Sequence, residues 1–301
     1  MAKTINFRTV IYPYDKVVDS IVTPITKHLS QFSINYNYLE NYLNVSFFIE
    51  MEPHGGAFIS HGIADKNWRN ANRVHDYDYI FVSGPAWKDK LINQGIAPEK
   101  ILINGYPRLD TLFNQEKPVR KNNKINLLFA PTHTMMLPAS LKEDPIAVKN
   151  VLLEEVSANE TLLKSLGEIP DDINLIESRH PANNRYNMTF DQYLIADVVI
   201  SDCSSTLYEA WALGIPVVFP DWLVKDNIIK KYPNSFEEYI YTNSIGYHAQ
   251  SANEMLKMIY IAKESGVDEQ TKEFMEGIFP IQLRGNSGSI TAKMLLDAAN
   301  I

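Results

Sequence analysis

The chain has 301 residues, 45% hydrophobic and 21% charged, which is the balance of an ordinary globular protein and more length than one typical core needs. Its net charge of −8 excludes binding to nucleic acid or anionic lipid by bulk attraction. The single cysteine, Cys203, excludes an intramolecular disulfide and a Cys-based zinc cluster; with no signal-like apolar region and no run near the roughly 18 apolar residues of a membrane span, a cytoplasmic protein without a transmembrane segment is expected.

In chain order, residues 5–11 predict a strand, 15–30 a helix, 45–50 and 79–83 strands, and 85–94 a helix opening at Pro85 and stopping at Gly95. Residues 101–103 form a further strand. The stretch 114–124, NQEKPVRKNNK, is polar and contains proline, so it reads as a linker. Beyond it, strands are expected at 125–130, 173–177, 197–201 and 216–219, and helices at 145–166, 190–195, 205–213, 251–265 and 287–299. Residues 221–244, rich in aromatics and lysine, carry no clear period. Strands apolar on both faces that alternate with helices imply parallel sheets covered on both sides. The expected fold is α/β, two Rossmann-like domains facing across a cleft, with boundaries at 1–116 and 117–301. The charge divides with them: 11 Lys and Arg against 12 Asp and Glu in the first, 17 against 24 in the second.

One stretch carries most of the chemistry: residues 201–220, SDCSSTLYEAWALGIPVVFP. An apolar strand runs into Ser204, Ser205 and Thr206, and a helix follows. Ligands of open parallel sheets bind beyond the carboxyl ends of the strands, and a helix N-terminus offers unpaired N–H groups that suit a phosphate. Three adjacent hydroxyls exceed what one cap needs, although Thr206 with Glu209 also has the spacing of a capping box. Glu209 is alternatively placed to reach a ribose hydroxyl. Two further strand ends carry histidines. His180, beside Arg179, follows the strand at 173–177, and His133, beside Thr132, follows the strand at 125–130. Both positions suit donor contact or neutralisation of a leaving nucleotide. His54 and His61 each precede a glycine, and either has room to act as a base. A helix over 65–75 would align Lys66, Arg69 and Arg73 on one face toward a phosphate-bearing acceptor. Metal is not indicated: no metal-ligand spacing appears, and the Asp76-Tyr77-Asp78 triplet stands at the start of a strand rather than its end.

The stretch SDCSSTLYEAWALGIPVVF resembles the Ser/Thr-Asp-x-Ser-Ser motif of the CDP-glycerol glycerophosphotransferases of teichoic-acid synthesis and of related GT-B glycosyltransferases. LLFAPTHT (127–134), LIESRHP (175–181), SHGIADK (60–66) and LRGNSGSITAKML (283–295) resemble other elements of that family in the expected order. The resemblance spans roughly residues 55–300. It implies that Ser204, Ser205, Thr206, Glu209, Thr132, His133 and Arg179 bind the donor, and that His61 and His180 are catalytic. Lys66 and Arg69 would contact acceptor or phosphate. His61 is favoured over His54 because Lys66 stands at the family's distance from it. The implied activity moves a glycerol-phosphate or sugar group from a nucleotide-diphosphate donor, CDP-glycerol or a nucleotide sugar, to an acceptor hydroxyl on a molecule that can be polyanionic. No cofactor is implied. The element at 60–66 lacks the family's aromatic before His and its Thr-Pro after His-Gly. Two other functions therefore stand beside it: a nucleotide-sugar 2-epimerase, whose group shares an element like GYPRLDTL (105–112), and a non-catalytic nucleotide-binding protein.

Overall fold

The computed structural model describes residues 3–9, 15–49, 51–52, 55–67, 70–116, 118, 123–131, 162, 164, 166–178 and 189–300. The strands are β1 (Thr4–Arg8), β2 (Ser33–Asn35), β3 (Tyr42–Ser46), β4 (Ala57–Ile59), β5 (Tyr79–Val82), β6 (Ile101–Ile103), β7 (Ile125–Phe129), β8 (Ile173–Glu177), β9 (Val198–Ile200), β10 (Val217–Pro220) and β11 (Tyr247–Ala249). The helices are α1 (Asp15–Thr26), α2 (Ala71–Val74), α3 (Pro85–Asn93), α4 (Asp110–Phe113), α5 (Thr189–Gln192), α6 (Ser205–Ala212), α7 (Asp221–Lys231), α8 (Phe236–Asn243), α9 (Ala252–Ser265), α10 (Glu269–Ile278) and α11 (Ser287–Ala299). Among the described residues no helix is long and apolar enough to cross a membrane.

The chain forms two compact units, each around one sheet. The first comprises residues 1–63, 68–115 and 275–301; the second comprises 64–67 and 116–274. The first sheet runs β2-β1-β3-β4-β5-β6 and the second β11-β10-β9-β7-β8. Every neighbouring pair is parallel. Numbered within its own unit and read from the other edge, the second sheet has the order 2-1-3-4-5, and the first repeats that order with one added strand. A parallel pair needs a crossover, so helices cover the faces. In the first unit Ile5, Phe7, Leu43 and Val45 pack with Val18, Ile21 and Ile25 of α1 and Leu295 of α11. In the second, Leu127, Phe129, Val198, Ile200 and Val218 pack with Met255, Ile259 and Ala262 of α9.

Several elements differ from the sequence reading. β3 ends at Ser46, not at residue 50, and β1 ends at Arg8. Three strands that the sequence reading did not name, β2, β4 and β11, have three residues each and show no period. The unassigned stretch 221–244 folds as α7 and α8. A signal for α8 was present: Ser235 Oγ accepts the Glu238 N–H at 3.0 Å, a Ser-x-x-Glu start. The helix expected at 145–166 lies almost wholly outside the described residues.

The last helix, read with the second domain, belongs to the first unit. Its amino end is held by Asp110, whose carboxylate accepts the N–H groups of Ser287 at 3.2 Å and Gly288 at 2.6 Å. At Gly288 a Cβ would lie 2.6 Å from the Pro24 carbonyl oxygen, so glycine lets α11 cross α1 at contact. Gly105, at φ +81°, leaves room for Ser287 Oγ, which accepts the Tyr106 N–H at 2.9 Å. The GYPRLD element and the glycine-containing start of α11 are therefore two halves of one joint.

Candidate functional site

The shared strand order puts a topological switch between strands 1 and 3 of each sheet, where doubly wound folds hold ligands. In the second unit that switch is β7/β9. Ala130 N–H donates to Ile200 O at 2.9 Å, and Ser178 N–H donates to Phe129 O at 2.8 Å. The exits of β7, β8 and β9 thus lie side by side, and with them Ala130, Ser178 and Ser201, described residues of the APTHT, ESRHP and SDCSS motifs. Thr132, His133, Arg179 and His180 themselves lie outside the described residues, as do His54 and Arg69.

The hydroxyls of 201–206 are not equivalent. Ser201 Oγ donates to Ala130 O at 3.1 Å and lies 3.0 Å from Ser204 Oγ. A hydroxyl has one hydrogen, and that of Ser201 goes to the carbonyl, so Ser204 is the donor of this pair. Ser204 Oγ also accepts the Thr206 N–H at 3.2 Å, with the extended backbone of an N-cap. Ser204 is 8% exposed, and its hydroxyl is engaged as both donor and acceptor. Ser205 begins the helix proper and is half-buried; its Oγ accepts the Ala64 N–H at 3.3 Å. The Thr206–Glu209 capping box does not form, because α6 starts at Ser205, two residues before a Thr206 cap would place it, and Ser204 takes the cap. Glu209 is instead buried, with Oε2 accepting the Tyr193 hydroxyl at 2.8 Å.

Ala64 comes from a turn, residues 64–67, that groups with the second unit. Lys66 and Asn67 are left-handed there, at φ 44° and 56°. That turn replaces the helix expected over 65–75, of which only α2 at 71–74 exists, so Lys66 and Arg73 share no helical face. Lys66, read as a first-domain cation, groups with the second unit. The turn is pinned by two fully buried carboxylates, Asp65 and Glu237. Burial pushes the Glu237 carboxyl above its ordinary range, and Asp65 adds to the shift. The sequence reading missed Glu237 and Tyr193, because nothing local marks a carboxylate or phenol whose partner is elsewhere in the chain.

In the first unit, His61 follows β4. Its N–H donates to Phe47 O at 3.2 Å, and its carbonyl accepts the Tyr106 hydroxyl at 3.2 Å. The ring stacks on Phe48, centroids 4.1 Å apart and 18° between planes. Nδ1 lies 3.3 Å from Phe47 O. A carbonyl oxygen only accepts, so this contact favours the tautomer with hydrogen on Nδ1 and a basic Nε2. Ser60 and Gly62, on either side of His61, line a small cavity with Ser83, Asn104, Gly105 and Tyr106, beyond the ends of β4, β5 and β6. At this unit's own switch, β1/β3, stands Arg8, 5% exposed. Its guanidinium donates to Ser46 Oγ at 3.0 Å and to the carbonyls of Met51 and Glu52 at 2.9 and 2.6 Å.

The fold has known counterparts. The wall teichoic acid polymerase TagF superposes with a TM-score of 0.60 over 98% of this chain and 88% of its own, at 15% identity. A TagF variant soaked with CDPG gives 0.60, at 15% identity and 99% and 88% coverage. The UDP-GlcNAc 2-epimerase of Methanocaldococcus jannaschii, in complex with UDP-GlcNAc and UDP, gives 0.51, at 14% identity and 98% and 99% coverage. At such identities the likeness shows the fold, a GT-B-like pair of Rossmann-like units. No curated protein sequence matches the chain. Residues 53–259, well over half of the chain, match the family of CDP-glycerol:poly(glycerophosphate) glycerophosphotransferases. That match takes in the turn at 64–67, the exits of β7 to β9 and the hydroxyls of α6, and by it the chain belongs to this glycerophosphotransferase family, transferases that act from a nucleotide-linked donor.

Proposed function

We propose that the chain transfers glycerol phosphate from CDP-glycerol to an acceptor hydroxyl. The observation that supports this most directly is the meeting of three strand exits with the amino end of α6 at one switch point, inside the stretch that the family matches. In this reading Ser205 and Thr206, with Thr132, His133 and Arg179, hold the donor diphosphate, while Ser204 holds the helix start in place. Glu209, oriented by Tyr193, faces the ribose. Lys66 and Arg69 contact a phosphate of donor or acceptor. His61 Nε2 takes the proton of the acceptor hydroxyl, whose oxygen attacks the phosphorus that carries glycerol. The bond from that phosphorus to the oxygen shared with CMP breaks, and CMP leaves with the electron pair. The helix N-terminus, the hydroxyls and His180 balance its charge. The residues present supply a base and an electrostatic cradle, so the proposal includes no metal and no cofactor. A cytoplasmic location, on the single buried cysteine, goes with it.

Calorimetry against CDP-glycerol, CMP, CDP, UDP, GDP and UDP-GlcNAc tests the donor, followed by CMP release in the presence of a glycerol-phosphate oligomer. Cytidine ligands should bind selectively, and CMP release should need the acceptor. Selective uridine binding, or epimerisation of UDP-GlcNAc without any acceptor, would remove the proposal.

A further inference from the structure

We propose that Glu237 is a positioning residue of the donor site: through the turn at 64–67 it sets the direction of the Ser205 hydroxyl. Glu237 is fully buried. Its Oε1 accepts the Asp65 N–H at 2.8 Å and the Tyr208 hydroxyl at 2.7 Å; its Oε2 accepts the Lys66 N–H at 2.8 Å. Asp65 closes the other side, with Oδ2 accepting the Phe236 N–H at 2.9 Å and Oδ1 accepting the Asn67 N–H at 3.1 Å. Each carboxylate thus binds the backbone that carries the other.

Such a clamp is expensive. Burying two carboxylates opposes folding unless their lone pairs are filled, and two successive non-glycine residues in the left-handed region add strain. An ordinary surface turn reaches the same shape with glycine. Here the outcome is a fixed backbone direction: Ala64, directly before the clamped pair, aims its N–H at Ser205 Oγ. A hydroxyl oxygen that accepts from Ala64 points its own hydrogen elsewhere. Ser205 opens α6, where N–H groups also look outward. The clamp therefore presets Ser205 as a hydrogen-bond donor, which suits a phosphate oxygen. The link to phosphate rests on the donor reading above; the link from Glu237 to Ala64 does not.

The test uses the full chain and the variants Glu237→Gln, Tyr208→Phe and Ser205→Ala. Amide hydrogen exchange at Ala64, Asp65 and Lys66 reads the turn, and calorimetry with CMP reads the site. Glu237→Gln should speed exchange at all three amides at least tenfold and weaken CMP about tenfold, and Tyr208→Phe should do both to a smaller degree. Combined with Ser205→Ala, Glu237→Gln should add almost nothing to the loss of CMP affinity, because both act on one hydroxyl. Unchanged exchange at Ala64, additive losses, or a fall in melting temperature with CMP affinity intact would each overturn the proposal. If Glu237→Gln does not fold, Tyr208→Phe decides on the same readouts. If the wild-type chain binds no CMP, the donor reading falls alone, and exchange at Ala64 still decides whether the clamp sets the turn.

Discussion

The two units solve one topology with different chemistry. Both sheets switch direction between their first and third strands, so both present strand exits at the same point of the fold. In the first unit that point is closed by Arg8, whose guanidinium is spent on a serine hydroxyl and two loop carbonyls. His61 stands one strand further along, after β4. In the second unit the same point holds a chain of hydroxyls running from Ala130 through Ser201 and Ser204 to the start of α6. The comparison teaches that strand order settles where the exits meet, while the residues at the exits settle which chemistry that place carries. Under the proposed function, proton transfer falls to the first unit and holding the donor to the second.

The sharpest way to break that division is His61→Ala. Turnover should fall about 10²–10⁴-fold, with CMP affinity within a few-fold of wild type. A comparable loss in both would mean that His61 holds the donor rather than serving as a base. Next in size, Ser205→Ala should weaken nucleotide diphosphate binding roughly ten- to a hundredfold, the loss of one charge-assisted hydrogen bond. Free cytidine, without phosphates, should bind as before. Ser204→Ala sharpens the same contrast: it should cost about 1 kcal/mol of stability as a lost cap, a shift of a few degrees in Tm, with a smaller effect on diphosphate binding than Ser205→Ala. The reverse pattern would exchange the roles of the two serines.

In the first unit a buried carboxylate is also at work. Burial raises the Asp110 carboxyl above its ordinary range, against the lowering effect of the Gly288 and Ser287 N–H groups. The folded state thus keeps this proton to higher pH than the unfolded chain. The stability it contributes is complete below the ordinary carboxylate pKa and is lost as pH rises through the raised value. Urea titrations at several pH values should show wild type losing stability relative to Asp110→Asn over that interval. A gap that widens with pH would reverse the assignment. The smallest expected effect is at Thr206→Ala, which removes no cap and should stay within about 0.5 kcal/mol by denaturation. A drop near 1 kcal/mol would restore the Thr206–Glu209 capping box.

Much of this was legible in the residues alone. The strands at 101–103 and 173–177 match residue for residue, because short apolar runs bounded by turn residues leave little choice. Helix α6 and its serines were legible because a strand end, a hydroxyl cap and a terminating glycine are all local signals. So was the family, since its motifs are short and keep their order. What the sequence could not determine is which hydroxyl does what. Ser204 and Ser205 are neighbours of the same type; Ala130, 71 residues from Ser201, and Ala64, 141 residues from Ser205, tell them apart. The helix read into 65–75 followed charge spacing, yet Glu237 and Asp65 hold that segment in a left-handed turn. The last helix joined the first unit through Asp110 and a glycine against Pro24. Local patterns set the elements because they depend on neighbours within a turn or two. Hydroxyl direction, carboxylate burial and the membership of α11 depend on partners far along the chain, and only the packed tertiary structure supplies those.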